Sequence, residues 1–405
     1  MKRVILHCDC NSFFASVETV LNPEYKNVPM AVCGSQEDRH GIVLAKNELA
    51  KSYNIQTAET VYSAKKKCPS LVIAEPHYKE YTTFSRRVND IYARYTDMIE
   101  PFGIDESWLD VTASRKLFGD GVDIAQRIRH DVKKEIGITV SIGVSFNKVF
   151  AKLGSDYKKP DAITEISEEN FKDIIFPLPA SSLLFVGKKT EASLREIGVK
   201  TIGELAATSK ELLVMRLGKA GEMLYNYANG LDDTPVCAAS EPSKSISNGF
   251  TFRRDLLTMQ DCRTGIDFLC EEIGRKLRVN SQVCSTVALT LKDIYLQSIQ
   301  RQLTLDMPTD VGKEIADAAF SILKNEWHEG KPIRSITVSV SRLTNSCDVK
   351  TQISMFENPN EEKRKINKKK ELSVDMIRQK YGDTAIFNGS LIDTDIGIFD
   401  SKKEK

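Results

Sequence analysis

The chain has no CxxC pair, and its nine cysteines are scattered, as are its five histidines. That spacing argues against a zinc site. No apolar run approaches the roughly 18 residues that a membrane helix needs, so no membrane partner is expected. Neither sign of charge dominates: 57 Lys and Arg stand against 56 Asp and Glu, for a formal net charge of +1. Net charge averages over faces, so this balance still permits a polyanion groove built from local clusters. A signal-peptide pattern is also missing, and the cysteine count is odd. Together these predict reduced thiols in a cytoplasmic protein.

What is present is an ordinary soluble balance, 28% charged and 41% hydrophobic over 405 residues. That length predicts two to four domains. Residues 1–10 read as a buried strand, and 13–21 as a short helix with Phe13, Val17, Val20 and Leu21 on one side. The pattern predicts a helix over 78–95 and a hairpin of strands 98–102 and 107–111, with Asp105 and Glu106 at or beside its turn. It predicts another helix over 122–136, a strand over 139–146 and a helix over 147–157. This is a β-α-β-β-α-β-like order with an insertion after the first strand, a ferredoxin-like core. Short helices fill 167–232 and a polar linker follows. Residues 246–345 predict strands at 246–252, 286–292, 298–305 and 333–342, with helices at 262–278 and 311–327. The charge block 361–371 reads as solvated and disordered, with one more short helix over 372–381.

Two carboxylate motifs carry the chemistry. Asp9 closes the run Val4-Ile5-Leu6-His7-Cys8-Asp9, and Asp105-Glu106 stand in Phe102-Gly103-Ile104-Asp105-Glu106-Ser107-Trp108. A carboxylate that ends an apolar run is half-buried and needs a counter-charge. If the fold joins the three acids, they repel unless protonated or neutralised by cations. Oxygen-only ligands favour Mg²⁺ or Mn²⁺, and two such ions suit in-line nucleotidyl transfer.

The first motif continues as Cys10-Asn11-Ser12-Phe13-Phe14-Ala15-Ser16-Val17-Glu18. From Met1 to about residue 345 the chain thereby resembles the Y-family DNA polymerases of the DinB branch. The resemblance implies an α+β, multidomain right hand. Its ferredoxin-like palm would be 1–10 with 77–166, its small fingers 11–76 and its helical thumb 167–232. A linker, 233–245, would lead to an α+β little finger at 246–345 and a flexible tail at 346–405.

By the same resemblance, Asp9, Asp105, Glu106 and the Cys10 carbonyl hold two Mg²⁺ ions, with Mn²⁺ able to substitute. Phe14 becomes the steric gate against a 2′-hydroxyl. Adjacent helix residues point about 100° apart, so Phe13 and Phe14 are not both expected in one core. The nucleotide would meet Cys10, Asn11, Phe13, Phe14, Lys51 and Lys159. Many relatives carry Tyr where this chain has Glu48 and Arg where it has Lys51. Lys51 keeps the charge without the bidentate geometry. Ile42 and Leu44 would roof the nascent pair or simply pack the core. The implied DNA contacts are Lys148, Lys152, Gly187, Lys188, Gly218, Arg253, Arg334 and Arg342. Lys148 and Lys152 lie one helical turn apart on one face, a spacing that also suits plain solvation. Gly187 and Gly218 mark turns whose N–H groups can bind phosphate, or simple helix caps.

The tail motif Gln352-Ile353-Ser354-Met355-Phe356 is similar to the bacterial sliding-clamp peptide, two apolar anchors on a polar strand. Residues 372–395 read as docking on a partner or on the polymerase itself. The implied protein is a monomer that uses primer-template DNA, deoxynucleoside triphosphates and the clamp for low-fidelity, low-processivity translesion synthesis. Two rivals are a palm-fold nucleotide cyclase and a catalytically inactive DNA- and clamp-binding module.

Overall fold

The protein is described from a computed structural model that covers residues 2–35, 39, 41–238, 242–348, 359–391 and 394–398. The clamp-like motif Gln352–Phe356 lies outside the described residues. The chain forms two compact units, Met1–Gly34 with Ile42–Ser240, and Ser35–Gly41 with Glu241–Lys405.

The first unit is organised by β1 (Ile5–Cys10), buried along its whole length. Helix α1 (Phe13–Leu21) follows. A small sheet comes next, from β2 (Met30–Cys33), β3 (Val43–Lys46) and β4 (Val72–Ala74), in the order β3-β2-β4. Helices α2 (Glu48–Ser52) and α3 (Val61–Lys67) lie between β3 and β4. The chain then runs through α4 (Tyr78–Tyr92), β5 (Ile99–Pro101), β6 (Glu106–Asp110) and α5 (Arg115–Phe118). It continues with α6 (Gly121–Glu135), β7 (Val140–Ser145), α7 (Lys148–Tyr157) and β8 (Ile163–Ile166). The large sheet has the order β5-β6-β1-β7-β8. Its first four strands have the ferredoxin-like order, and β8 adds a parallel fifth strand beside β7 that the sequence pattern did not announce.

Strand periodicity divides β1 between two faces. Leu6, Cys8 and Cys10 pack with Val140, Ile142 and Val144 of β7 against Tyr81, Phe84 and Val88 of α4 and Ile124, Ile128 and Val132 of α6. Ile5, His7 and Asp9 face the other way, where Ile5 meets Ala151 of α7 and Trp108 of β6. β7 is therefore covered on both faces. Val20 and Leu21 are 37% and 45% exposed, so the inner side of α1 is Phe13, Ala15, Val17 and Glu18 instead.

Gly143 lets α7 lie flat on the sheet. A Cβ there would stand 1.8 Å from the Ala151 carbonyl oxygen and 2.5 Å from the Ser155 nitrogen. Gly154 of α7 fits against the same spot, its own Cβ position 3.0 Å from the Gly143 Cα.

Short helices α8 (Phe171–Ile175), α9 (Lys188–Glu196), α10 (Ile202–Ala207), α11 (Lys210–Leu217) and α12 (Lys219–Ala228) build their own core around Leu194, Leu205, Leu213 and Leu224. The segment expected to be a free linker is anchored at its start. Val236 is buried beside Ile5 and Trp108, and the Cys237 N–H donates to Glu100 at 2.8 Å.

The second unit has one sheet, β11-β10-β12-β9, made of β9 (Ser245–Leu256), β10 (Gln282–Asp293), β11 (Ser298–Thr309) and β12 (Ile333–Asn345). Helices α13 (Met259–Val279) and α14 (Gly312–Glu326) share its core. The tail departs from expectation. Its charge block belongs to a 23-residue helix, α15 (Pro359–Tyr381). Several charges of this helix are paired: Glu371 and Asp375 meet Arg278 at 2.5 and 2.6 Å, Lys368 meets Asp310 at 2.8 Å, and Arg378 meets Glu271. Glu371 also accepts from the Gly312 and Lys313 N–H groups at 2.9 and 3.1 Å, capping α14. Leu391, Ile396 and Ile398 enter the unit's core. Of the two docking expectations, the structure shows the tail on the chain's own second unit, through ion pairs and these residues, whereas Met376 stays 64% exposed.

Gly143→Ala should destabilise the first unit by about 1–3 kcal/mol, because the backbone of α7 has nowhere to go. Denaturant unfolding measures it, and an unchanged midpoint would contradict the close packing.

Candidate active site

Antiparallel register builds the site. Asp9 pairs with Glu106 and His7 with Trp108 across β1 and β6, so their side chains emerge on one face. The ligand atoms of His7, Asp9 and Glu106 lie within 4.8 Å of one another. Asp105 occupies the turn just before β6, and its carbonyl accepts from the Cys10 N–H at 3.0 Å. Its carboxylate is not part of that tight group, yet it feels Glu106.

Helix α7 and the residues after it supply the counter-charge. Lys152 reaches Glu106 in a short ion pair. Lys159 meets Asp9 at 2.6 Å and Asp156 at 2.7 Å. The His7 Nδ1 lies 2.8 Å from the Ser155 hydroxyl. Its Nε2 lies 3.3 Å from Glu106.

These contacts separate the acids electrostatically. Burial pushes Asp9 up to about 6 despite Lys159. Burial also raises Asp105, and the Glu106 charge adds to it. Burial works against Glu106 too, but His7 and Lys152 outweigh it and hold that acid at about 2. Burial lowers His7, keeping the imidazole neutral. Lys159 stays charged: burial pulls it down, and Asp9 and Asp156 more than offset that.

The donor set fits a hard divalent cation. It offers clustered carboxylate oxygens, and burial leaves one of them, Asp9, the weaker acid. Asp9, Glu106 and Asp105 are the residues that would hold the ion.

The other expected site residues fall into groups. Phe13 is buried in the core. Phe14 is half-buried and stacks on Tyr81, with ring centroids 4.1 Å apart and an 11° tilt. The Asn11 side chain is tied to β7, accepting from Ser141 at 2.8 Å and donating to Thr139 at 3.0 Å. Lys51 is exposed and pairs with Glu48 at 3.5 Å. Lys148 points into the unit, 2.6 Å from Glu100 and over the Trp108 ring. Gly187 and Lys188 are exposed where α9 begins, and Gly218, at φ +63°, joins α11 to α12. In the second unit, the Arg253 N–H donates to the Ile396 carbonyl at 3.1 Å. Arg334 is half-buried on β12, and Arg342 is exposed there.

Sequence reasoning missed His7, Glu18, Lys46 and Tyr81. Period-two spacing from Asp9 was the signal for His7. Glu18, one helical turn after Phe14, carried a weaker one. Lys46 lies close enough to Lys51 that burial and that neighbouring charge both lower its pKa.

Carboxylates at the end of central strands, faced by lysines from the covering helix of a ferredoxin-like sheet, define the palm of a right-hand nucleic-acid polymerase. Comparison with known proteins narrows the class. The impB/mucB/samB family matches residues 8–156, and its C-terminal domain matches 243–355. A description "DNA polymerase-iota, thumb domain" matches 182–232. The chain is 48% identical over 394 residues to DNA polymerase IV of Acetivibrio thermocellus, covering 97% of this chain and 98% of that one. It is 36% identical over 398 residues to DNA polymerase IV of Clostridium kluyveri, covering 97% and 99%. A solved Y-family DNA polymerase chimera shares the fold, with a TM-score of 0.75 at 22% identity over 84% of this chain and 98% of that one. The chain belongs to the impB/mucB/samB family, the Y-family DNA polymerases, and within it to the DNA polymerase IV branch. Among the described residues no helix is long and apolar enough to cross a membrane.

Cation binding should depend on pH through Asp9. The protonated acid cannot ligate, so affinity is present above about 6 and is lost as pH falls through that value. Mn²⁺ titration should give roughly tenfold weaker binding at pH 5 than at pH 7.5. Equal affinity at both would show that Asp9 does not ligate.

Proposed function

We infer that this chain is a template-directed DNA polymerase performing translesion synthesis with low fidelity and low processivity. The observation that carries the reading is the register of β1 with β6, which sets Asp9 beside Glu106 with Lys159 against Asp9. The kinship with bacterial DNA polymerase IV over almost the whole chain supports the substrates, DNA and deoxynucleoside triphosphates.

Two Mg²⁺ ions held by Asp9, Asp105, Glu106 and the Cys10 carbonyl would activate the primer 3′-hydroxyl and neutralise the triphosphate. The protein's own groups do the rest. Lys159, already charged and poised at Asp9, orients the triphosphate, and Lys51 and Lys46 supply further positive charge from the insertion after β1. Lys152 fixes the Glu106 carboxylate, and neutral His7 backs it. Phe14 presents its ring to the sugar, and the tight aromatic stack behind it supports the reading as a steric gate. Residues 1–10 with 77–166 act as palm, 11–76 as fingers, 167–232 as thumb and 246–345 as little finger. The basic residues Lys188, Arg334 and Arg342 grip the DNA backbone with salt-sensitive affinity. Gln352–Phe356, a few residues beyond β12 in the sequence, bind a sliding clamp as a short peptide. The protein works as a cytoplasmic monomer.

Primer extension tests the reading. With Mg²⁺, the wild type should extend on undamaged and on lesion-bearing template, and an Asp105→Ala, Glu106→Ala double variant should extend neither. Replacing Met355 and Phe356 by Ala should remove stimulation by the clamp and spare distributive synthesis. No extension by the wild type would move the function to a non-catalytic module, and full clamp stimulation of the tail variant would make the motif a chance match.

A further inference from the structure

Glu18 is an acid that the polymerase chemistry does not use. It lies on α1 and is only 3% exposed. A buried carboxylate is costly unless hydrogen bonds satisfy it. Here the Tyr81 hydroxyl donates to its Oε1 at 2.5 Å, and the His77 Nδ1 lies 3.0 Å from the same oxygen. Tyr81, on α4, is wholly buried. Its ring lies almost parallel to that of Phe14, with centroids 4.1 Å apart. Tyr78 abuts both rings edge-on, at 6.1 Å from Phe14 and 5.8 Å from Tyr81.

Phe14 and Glu18 are one helical turn apart, so they address the same part of α4. Glu18 holds the tip of Tyr81, and the flat of Tyr81 supports the back of Phe14. A steric gate rejects a hydroxyl only as far as its ring cannot retreat. The stiffness of what stands behind the ring therefore decides how strict the gate is. A hydroxyl-to-carboxyl hydrogen bond this short is a strong restraint on Tyr81.

We propose that Glu18 is a positioning residue for sugar selection: by holding the Tyr81 hydroxyl it keeps the Tyr81 ring as a rigid backing for Phe14, and so sets how strictly ribonucleotides are excluded. This rests on the reading of Phe14 as the steric gate.

Single-nucleotide insertion kinetics with deoxy- and ribonucleotides test it, in the wild type and in Phe14→Ala, Tyr81→Phe, Glu18→Ala and Glu18→Gln. Phe14→Ala should lower discrimination by at least about tenfold, and Tyr81→Phe and Glu18→Ala by at least about threefold. The loss should appear as a rise in ribonucleotide kcat/KM, whereas a merely structural defect would lower both sugars alike. Glu18→Gln keeps an acceptor for Tyr81 and should restore most of the discrimination lost in Glu18→Ala. The Tyr81→Phe, Glu18→Ala double variant should be no worse than either single one, because both remove the same bond. If Glu18→Ala fails to fold, Tyr81→Phe carries the test, since it deletes only a hydroxyl. Wild-type discrimination in Tyr81→Phe, with discrimination lost in Phe14→Ala, would overturn the proposal. Unchanged discrimination in Phe14→Ala would overturn the gate itself and the proposal with it.

Discussion

Two acids that a sheet forces side by side on a buried face govern this structure. Unit charges about 4 Å apart at an effective dielectric constant near 20 repel by about 4 kcal/mol. That exceeds the roughly 1.4 kcal/mol carried by one pKa unit, so Asp9 and Glu106 cannot both be ionised without added positive charge. The protein meets the constraint unequally. Lys152 and His7 serve Glu106 and hold it at about 2, whereas Asp9 has Lys159 and remains near 6. Burial, only partly offset by Lys159, thus leaves Asp9 the weaker acid of the pair.

The rest of the first unit serves that arrangement. Gly143 and Gly154 bring α7 close enough for Lys152 to reach Glu106 and for Ser155 to reach His7. The covering face, from Tyr81 to Val132, is apolar and seals the other side of β1. α1 then carries Phe14 to the edge of that face, where aromatic rings line up behind it. The end of β1 and the first turn of α1 thus bring Asp9 and Phe14 within a few residues of each other.

Much of this was legible in the sequence because it is local. An apolar run ending in Asp9, the Asp105-Glu106 turn and the adjacent Phe13-Phe14 pair each state their chemistry within a few residues. The ferredoxin-like order followed from period alone. What the sequence hid depends on partners far along the chain. Nothing local marks Glu18 out: its partners Tyr81 and His77 lie 63 and 59 residues away along the chain. The run from Glu361 to Glu371 looked like a solvated block because charge density is the usual mark of disorder. Its partners Arg278, Asp310 and Glu314 lie on the other side of β12, and only the fold pairs them. β8 was missed because four residues give too little pattern to separate a strand from a loop.

The central claim is that Asp9 and Glu106 are matched to divalent cations and not merely to lysines. Counting Mn²⁺ bound to the complex with primer-template DNA and a non-hydrolysable deoxynucleotide tests it most directly. The account predicts two ions in the wild type, and loss of tight binding when Asp9→Asn and Glu106→Gln are combined in a protein that still folds. Undiminished Mn²⁺ binding by that double variant would contradict it.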